Sequence, residues 1–181
     1  MTLAEELDRF YKKYNIPENG GLNDETFEIP LPFFTFKLPN FSWRKRMLYI
    51  HDLEHILNGQ DTTWRGEMYI ASWEIATGFW RNFPIILFPL WTMGWGLWKH
   101  PRAIINGFNN GSSAIGIANL GLTKDQLMAI DLTQLQTYTK QNSACHSKIY
   151  RISKFSCWII VSQIAFLFPL LLILFLLVTC C

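Results

Sequence analysis

The sequence predicts an all-α protein, made of a helical domain with a proline-rich extended N-terminal arm and a C-terminal transmembrane helix. Three observations predict it. Apolar residues recur every three or four positions through most of the first 139 residues. Pro30, Pro32 and Pro39 interrupt one aromatic stretch that can be neither helix nor central strand. From Cys157 to Val178 no residue is charged, and Ser162 and Gln163 are the only strongly polar interruptions.

The first helix is expected over Leu3 to Tyr14, where Leu3, Leu7, Phe10, Tyr11 and Tyr14 share one face, and Pro17 and Gly20-Gly21 end it. Phe27 to Phe41 follows as the extended arm or an edge hairpin. Asn40 or Ser42 is placed to cap a helix that runs to about Leu57, and Asn58-Gly59 stops it. A further helix starts near Thr63 or Trp64 and continues to about Trp80. Its stripe of Glu67, Ile70, Ala71, Glu74 and Gly78 includes small residues that permit close approach of a neighbour. The apolar run Phe83 to Trp98 is broken by prolines and glycines and is short for a span. It suits a buried helix, the wall of a hydrophobic tunnel or a membrane-interface segment, since Trp91, Trp95 and Trp98 recur at helical spacing. His100-Pro101-Arg102 opens an amphipathic helix through Ile105 and Phe108. Thr123 and Gln126 form a capping box, and Asp131 to Tyr138 is the last helix of the domain.

The domain organisation follows: a helical domain over residues 1–139, a basic linker over 140–155 and a membrane anchor over 156–181. The 22 uncharged residues from Cys157 to Val178 span about 33 Å as a helix, against a hydrocarbon core of about 30 Å. Lys140, Lys148, Arg151 and Lys154 precede the run, and no acidic residue occurs after Asp131. The positive side faces the cytoplasm, so the chain reads as single-pass and tail-anchored with its globular domain in the cytoplasm. The acidic N-terminus, with Glu5, Glu6 and Asp8, does not resemble a cleaved signal peptide. A formal net charge of +2 gives no basic field for nucleic acid. The four cysteines contain no CxxC pair, which excludes a zinc ribbon and a thioredoxin-type site.

The most specific motif is His51-Asp52-Leu53-Glu54-His55, followed after eleven residues by Glu67. Two histidines four apart fall on one helical face, where their imidazoles can converge on one ion. Asp52 lies at the edge of that face, as a ligand or as a partner that orients His51. Glu67 lies beyond a loop long enough to turn the chain back. His51, Asp52, His55 and Glu67 are therefore candidate ligands from two antiparallel helices. Imidazole plus carboxylate suits zinc, iron or manganese, and two histidines with one carboxylate suit Fe2+ with open positions. Position 52 carries aspartate where the zincin motif H-E-x-x-H has glutamate, so a peptidase is not indicated. Glu74 is the candidate for a catalytic proton acceptor or further ligand, with a salt bridge to Arg81 or Arg44 as its plain structural alternative. Glu54 and Glu67 have a plain reading too, as solvated residues on a surface helix.

These residues resemble the signature of the ubiquinone-biosynthesis Coq-four family. The surrounding text is similar as well: Leu53 to Gly59, Gly66-Glu67, Ala71-x-Trp73-Glu74 and, more loosely, Pro101-Arg102-Ala103 with Asn106-Gly107. The resemblance covers about residues 40 to 137. It implies an all-helical, membrane-associated protein that binds a divalent metal, zinc foremost, through His51, Asp52, His55 and Glu67. It implies oxidative decarboxylation and hydroxylation of a polyprenyl-benzoate-type ring, or organisation of the complex that makes ubiquinone. The implied partners are a prenylated quinone precursor or other isoprenoid lipid, the membrane and other quinone-biosynthesis proteins. The apolar segment Phe79 to Trp98 would take the isoprenoid tail. The short proline-rich N-terminus and the C-terminal anchor depart from the family pattern and mark a divergent branch. Two rival readings stand beside it. One is a non-catalytic lipid-binding scaffold whose metal is structural; the other is a membrane-anchored metal hydrolase with Glu74 or Glu54 as its base.

Overall fold

The computed structural model describes residues 1–30, 35–79, 83–140 and 148–179. The expected end of the second motif helix at Trp80, the suggested Arg81 partner of Glu74, Pro32, most of the linker and the terminal cysteines lie outside the described residues. The order is α1 (Leu3–Tyr14), β1 (Thr26–Pro30), β2 (Thr35–Pro39), α2 (Ser42–Asn58), α3 (Trp64–Thr77), α4 (Leu87–Lys99), α5 (Pro101–Gly111), a 3-10 turn (Ile117–Asn119), α6 (Lys124–Ala129), α7 (Leu132–Thr139) and α8 (Lys148–Thr179). The protein is all-α apart from one two-stranded antiparallel hairpin, in which Thr26 faces Pro39 and Ile29 faces Phe36. The proline-rich arm is thus a hairpin, and it packs Phe27 on Phe88 of α4 with ring centroids 5.7 Å apart.

Local chemistry sets the helix ends. Thr2, Thr123 and Asp131 each close a capping box, with Glu5, Gln126 and Gln134 reaching back to the cap N–H. The expected cap of α2 does not form. Phe41 occupies the cap position without a side-chain bond, and the Asn40 amide instead donates to the carbonyls of Gly21 (2.8 Å) and Asp24 (3.1 Å). The helices α2 and α3 stop at Gly59 and Gly78, whose φ of 62° and 98° are left-handed conformations that glycine adopts without steric cost.

Two apolar cores flank the α2–α3 pair. One joins α1, α2, α6 and α7 around Leu3, Leu7, Phe10, Leu53, Leu127 and Leu135. The other joins α3, α4 and α5 around Met68, Ile75, Leu90, Met93, Ile104 and Phe108. Burial of side chains of this size stabilises the fold by about 1.5–3 kcal/mol each. The α3–α5 contact is backbone-close at Gly107, because a Cβ there would overlap the Tyr69 carbonyl and Ser72 Oγ.

The helix α8 is long and apolar enough to cross a bilayer, at 32 residues or about 48 Å. It begins at Lys148, within the segment expected as linker. Its first half packs on the domain: Phe155, Trp158, Ile159, Val161 and Ala165 lie against the second core. Ser162 and Gln163, the polar interruptions of the apolar run, lie with Phe166 against α4. A Cβ at Gly94 would overlap the Ser162 carbonyl, Gln163 Nε2 donates to the Gly94 carbonyl (2.8 Å), and Trp98 Nε1 donates to Gln163 Oε1 (3.0 Å). Beyond Phe166, residues such as Leu171, Phe175 and Val178 are exposed. Gly107→Val is expected to force α3 and α5 apart and to lower unfolding stability by about 1–3 kcal/mol, read from the shift of the thermal midpoint in detergent.

Candidate metal centre

The helices α2 and α3 meet through polar side chains between the two cores. His51 and His55 are one turn apart on α2, and Glu67 sits in the first turn of α3, where the helix N-terminus favours a carboxylate. The connecting loop is fixed by Asp61, whose Oδ1 accepts from Thr63 N (3.1 Å) and Thr63 Oγ1 (2.6 Å). Gly66 passes so close to Asp61 that any side chain there would overlap the Asp61 carbonyl. The Gly66-Glu67 pair is thereby explained: the glycine lets the loop close, and the closure delivers the glutamate.

Three donor groups converge. The His51 and His55 Nε2 atoms lie 3.3 Å apart, His51 Nε2 is 3.3 Å from Glu67 Oε2, and His55 Nε2 is 3.4 Å from Glu67 Oε1. A tetrahedral site with bonds of about 2.0–2.1 Å has ligand–ligand edges of about 3.3–3.4 Å, so the spacing and the donor chemistry fit a divalent ion. His51 is oriented by Glu74: Nδ1 donates to Glu74 Oε1 at 3.0 Å, which leaves the Nε2 lone pair turned toward His55 and Glu67. Among the described residues His55 has no such helper. Its Nδ1 is buried with no hydrogen-bond partner among them, and packing positions the ring, with the Phe10 centroid at 5.9 Å and that of His51 at 4.9 Å.

The electrostatics are those of a cation site. Burial alone would lower the His51 pKa, but Glu74 and Glu67 hold it well above its ordinary value. Burial alone would raise Glu67, but hydrogen bonds and charge from His51 and His55 hold it well below the carboxylate range.

Asp52, expected as a fourth ligand or as the partner of His51, stands outside the group formed by His51, His55 and Glu67 and makes no hydrogen bond to His51 among the described residues. It is buried, and its Oδ2 accepts from Tyr11 Oη at 2.8 Å, so it ties α2 to α1 instead. The physical reason is its position about 100° around the helix from His51, which turns it toward the first core. Glu74 takes the orienting role and is nearly fully buried, with its carboxylate committed to His51. It forms no ion pair with Arg44.

Glu54, read from sequence as a solvated residue or a hydrolytic base, is 0% exposed, and among the described residues no donor reaches either carboxylate oxygen. With His51 and Glu74 it forms a second group of donors within 4.8 Å of one another, on the Nδ1 side of the imidazole. Burial and the negative charge of Glu74 push the Glu54 pKa well above its ordinary value.

The first donor group opens into a cavity of about 590 Å³ with mainly apolar walls. Met47 and Leu48 of α2, Trp64 of α3, Phe79, and Ile85 and Phe88 around the start of α4 line it, and the hairpin adds Phe27 and Ile29. The helix α4 is therefore a partition, with Phe88, Pro89 and Thr92 toward the cavity and Trp91, Gly94 and Trp98 toward α8. Of the tryptophans expected to mark this segment, Trp91 packs on Phe166 and Trp95 on Trp64. From sequence Tyr11 reads only as a residue of an apolar face and Arg44 only as an ion-pair alternative for Glu74; the Tyr11 bond to Asp52 and the place of Arg44 in this cavity come from the fold. Arg44 stands seven residues before His51 on the same helical face, and that spacing was a usable signal.

No protein-family model, no curated protein and no solved structure matches the chain.

Glu54→Gln keeps the shape, places an amide donor toward Glu74 and removes the ionisable proton. An acid whose folded pKa is raised costs stability only as pH climbs above its unfolded value. The variant is therefore expected to melt several degrees above the parent at pH 8 and close to it at pH 4.5, measured on metal-free protein.

Proposed function

We propose that this chain is a membrane-associated, metal-dependent protein that acts on, or holds, a lipid-like molecule with a ring or polar head. The family resemblance makes a prenylated quinone precursor the specific form of that ligand. The observation that carries the reading is the convergence of His51, His55 and Glu67 at 3.3–3.4 Å in the wall of a largely apolar cavity. Only α4 separates that cavity from a helix able to span a bilayer.

The residues divide the work. His51, His55 and Glu67 hold the divalent ion: zinc by resemblance, with Fe2+ or Mn2+ compatible with the donor set. Bound there, it supplies Lewis-acid polarisation and open positions for oxygen, water or a substrate atom. Glu74 keeps the His51 ring in one tautomer and raises its basicity toward the ion. Ile85, Phe88, Phe27 and Met47 exclude water and receive the apolar part of the ligand, at about 0.8 kcal/mol per buried methylene. The activity that fits is oxidative decarboxylation or hydroxylation of a polyprenyl-benzoate-type ring, or presentation of that ring to other quinone-biosynthesis proteins. Lys140 and, in the first turns of α8, Lys148, Arg151 and Lys154 support a domain on the cytoplasmic face, with the uncharged remainder of α8 as its single-pass anchor.

Two features count against the rivals. Three donors facing a cavity leave the coordination sphere open, which a structural metal does not need. Among the described residues, Glu74 is committed to His51 and Glu54 is fully enclosed, so neither is placed as a hydrolytic base over the ion.

The full chain, purified in detergent and loaded with zinc, is expected to carry one ion per chain. His51→Ala and Glu67→Ala are expected to lose it, and Glu74→Gln to weaken it by about 10–100-fold. Metal analysis after dialysis checks this, and a parent without stoichiometric metal would overturn the reading. Expression in a strain that lacks the family enzyme tests the substrate: quinone synthesis should return with the parent and fail with His51→Ala.

A further inference from the structure

Arg44 enters the same cavity as the donor group, in the first turn of α2 and two turns before His51. Its guanidinium is held on two sides. It lies over the Phe27 ring, with Cζ 3.9 Å from the centroid, and Nη1 donates to Asn40 Oδ1 at 2.9 Å. Asn40 cannot turn away, because its amide nitrogen is bound to the Gly21 and Asp24 carbonyls. An arginine fixed in this way has lost its side-chain freedom before any ligand arrives, and that loss is a cost a binding residue otherwise meets on binding.

Among the described residues Arg44 has no direct ion-pair partner, with no carboxylate within 4 Å of it, although Glu28 of the hairpin also lines the cavity. Asp52, the acid whose charge reaches it, gives its Oδ2 to Tyr11. Asn40 is a neutral acceptor and takes one of the five N–H donors. A half-buried guanidinium in an apolar cavity is ordinarily matched by an anion through two parallel N–H bonds.

We infer that Arg44 is the anion-recognising residue of this cavity, and that its ligand is an amphiphile with a carboxylate or phosphate on its head group. The apolar part fills the space between Met47, Phe88 and Ile85, the anion docks on Arg44, and the remaining face of the head lies toward His51, His55 and Glu67. This inference rests on the cavity reading of the proposed function and adds to it the residue that recognises the anionic head.

The test uses the full-length, zinc-loaded protein in neutral detergent, with affinity read by isothermal titration. The anionic probes are 4-dodecyloxybenzoate and dodecyl phosphate, 4-dodecyloxybenzyl alcohol is the uncharged control, and 4-methoxybenzoate and inorganic phosphate are the tailless controls. At least one anionic amphiphile should bind ten-fold or more tighter than the alcohol. Arg44→Gln should shrink that ratio to about two-fold or less, and Arg44→Lys should retain part of it, with zinc content and melting midpoint as in the parent. Equal affinity of the parent for anions and alcohol would overturn the role of Arg44 and leave the cavity reading standing, as would a ratio unchanged in Arg44→Gln. Tailless anions that bind as tightly as the amphiphiles would overturn the lipid source of the anion. No binding of any long-chain probe would overturn the cavity reading and this inference together.

Discussion

The contact between His51 and Glu74 is the constraint on which the centre of the molecule depends. It is a 3.0 Å hydrogen bond between α2 and α3, made where two apolar cores close over the helix pair. A nearly buried carboxylate needs a donor, and an imidazole with two nitrogens can satisfy it with one and present the other elsewhere. The rest of the site follows from that division. His55, one turn on, adds a second nitrogen beside the first, and the loop that ends at Gly66 carries Glu67 to both. The same arrangement leaves Glu54 enclosed next to Glu74, so the centre concentrates more acid than its imidazoles offset.

Much of this was legible in the sequence, because helical periodicity is a local property. The i, i+4 histidines, the return of Glu67 after a capped loop, and the helices α1, α5, α6 and α7 follow from spacing and capping chemistry over a few residues. Roles set by the neighbour across an interface were not legible. Asp52 and Glu74 are both acids near the histidines in sequence, and only the packing of α1 and α3 on α2 decides that Asp52 meets Tyr11 and Glu74 meets His51. Glu54 reads as a surface residue because charge usually is solvated. Arg44 reads as a salt-bridge partner for Glu74 until the hairpin lays Phe27 beneath it.

The segment from Phe83 to Trp98 shows why the three readings open to it were hard to separate. Its middle and end form one helix with three distinct neighbours: a core, a cavity and α8. Each demands apolar residues, so the hydropathy pattern saturates and no polar stripe reports the orientation. The glycine at position 94 is the informative residue, since it marks where another backbone comes close. Gln163 is its counterpart, polar in an apolar run because it bonds to α4, while Ser162 turns its hydroxyl back to the Ile159 carbonyl of its own helix and lets the two backbones approach.

That seam bears on how the protein is made. The helix α8 follows every other element of the domain in the chain, yet it supplies one wall of the second core. Until residues beyond Lys148 have been synthesised, Trp91 and the Gly94 groove stand bare, and the nascent domain is sticky on the side that α8 will cover. Closure of the second core thus waits for the last helix of the chain to be made, and a chaperone that shields α8 would also delay it.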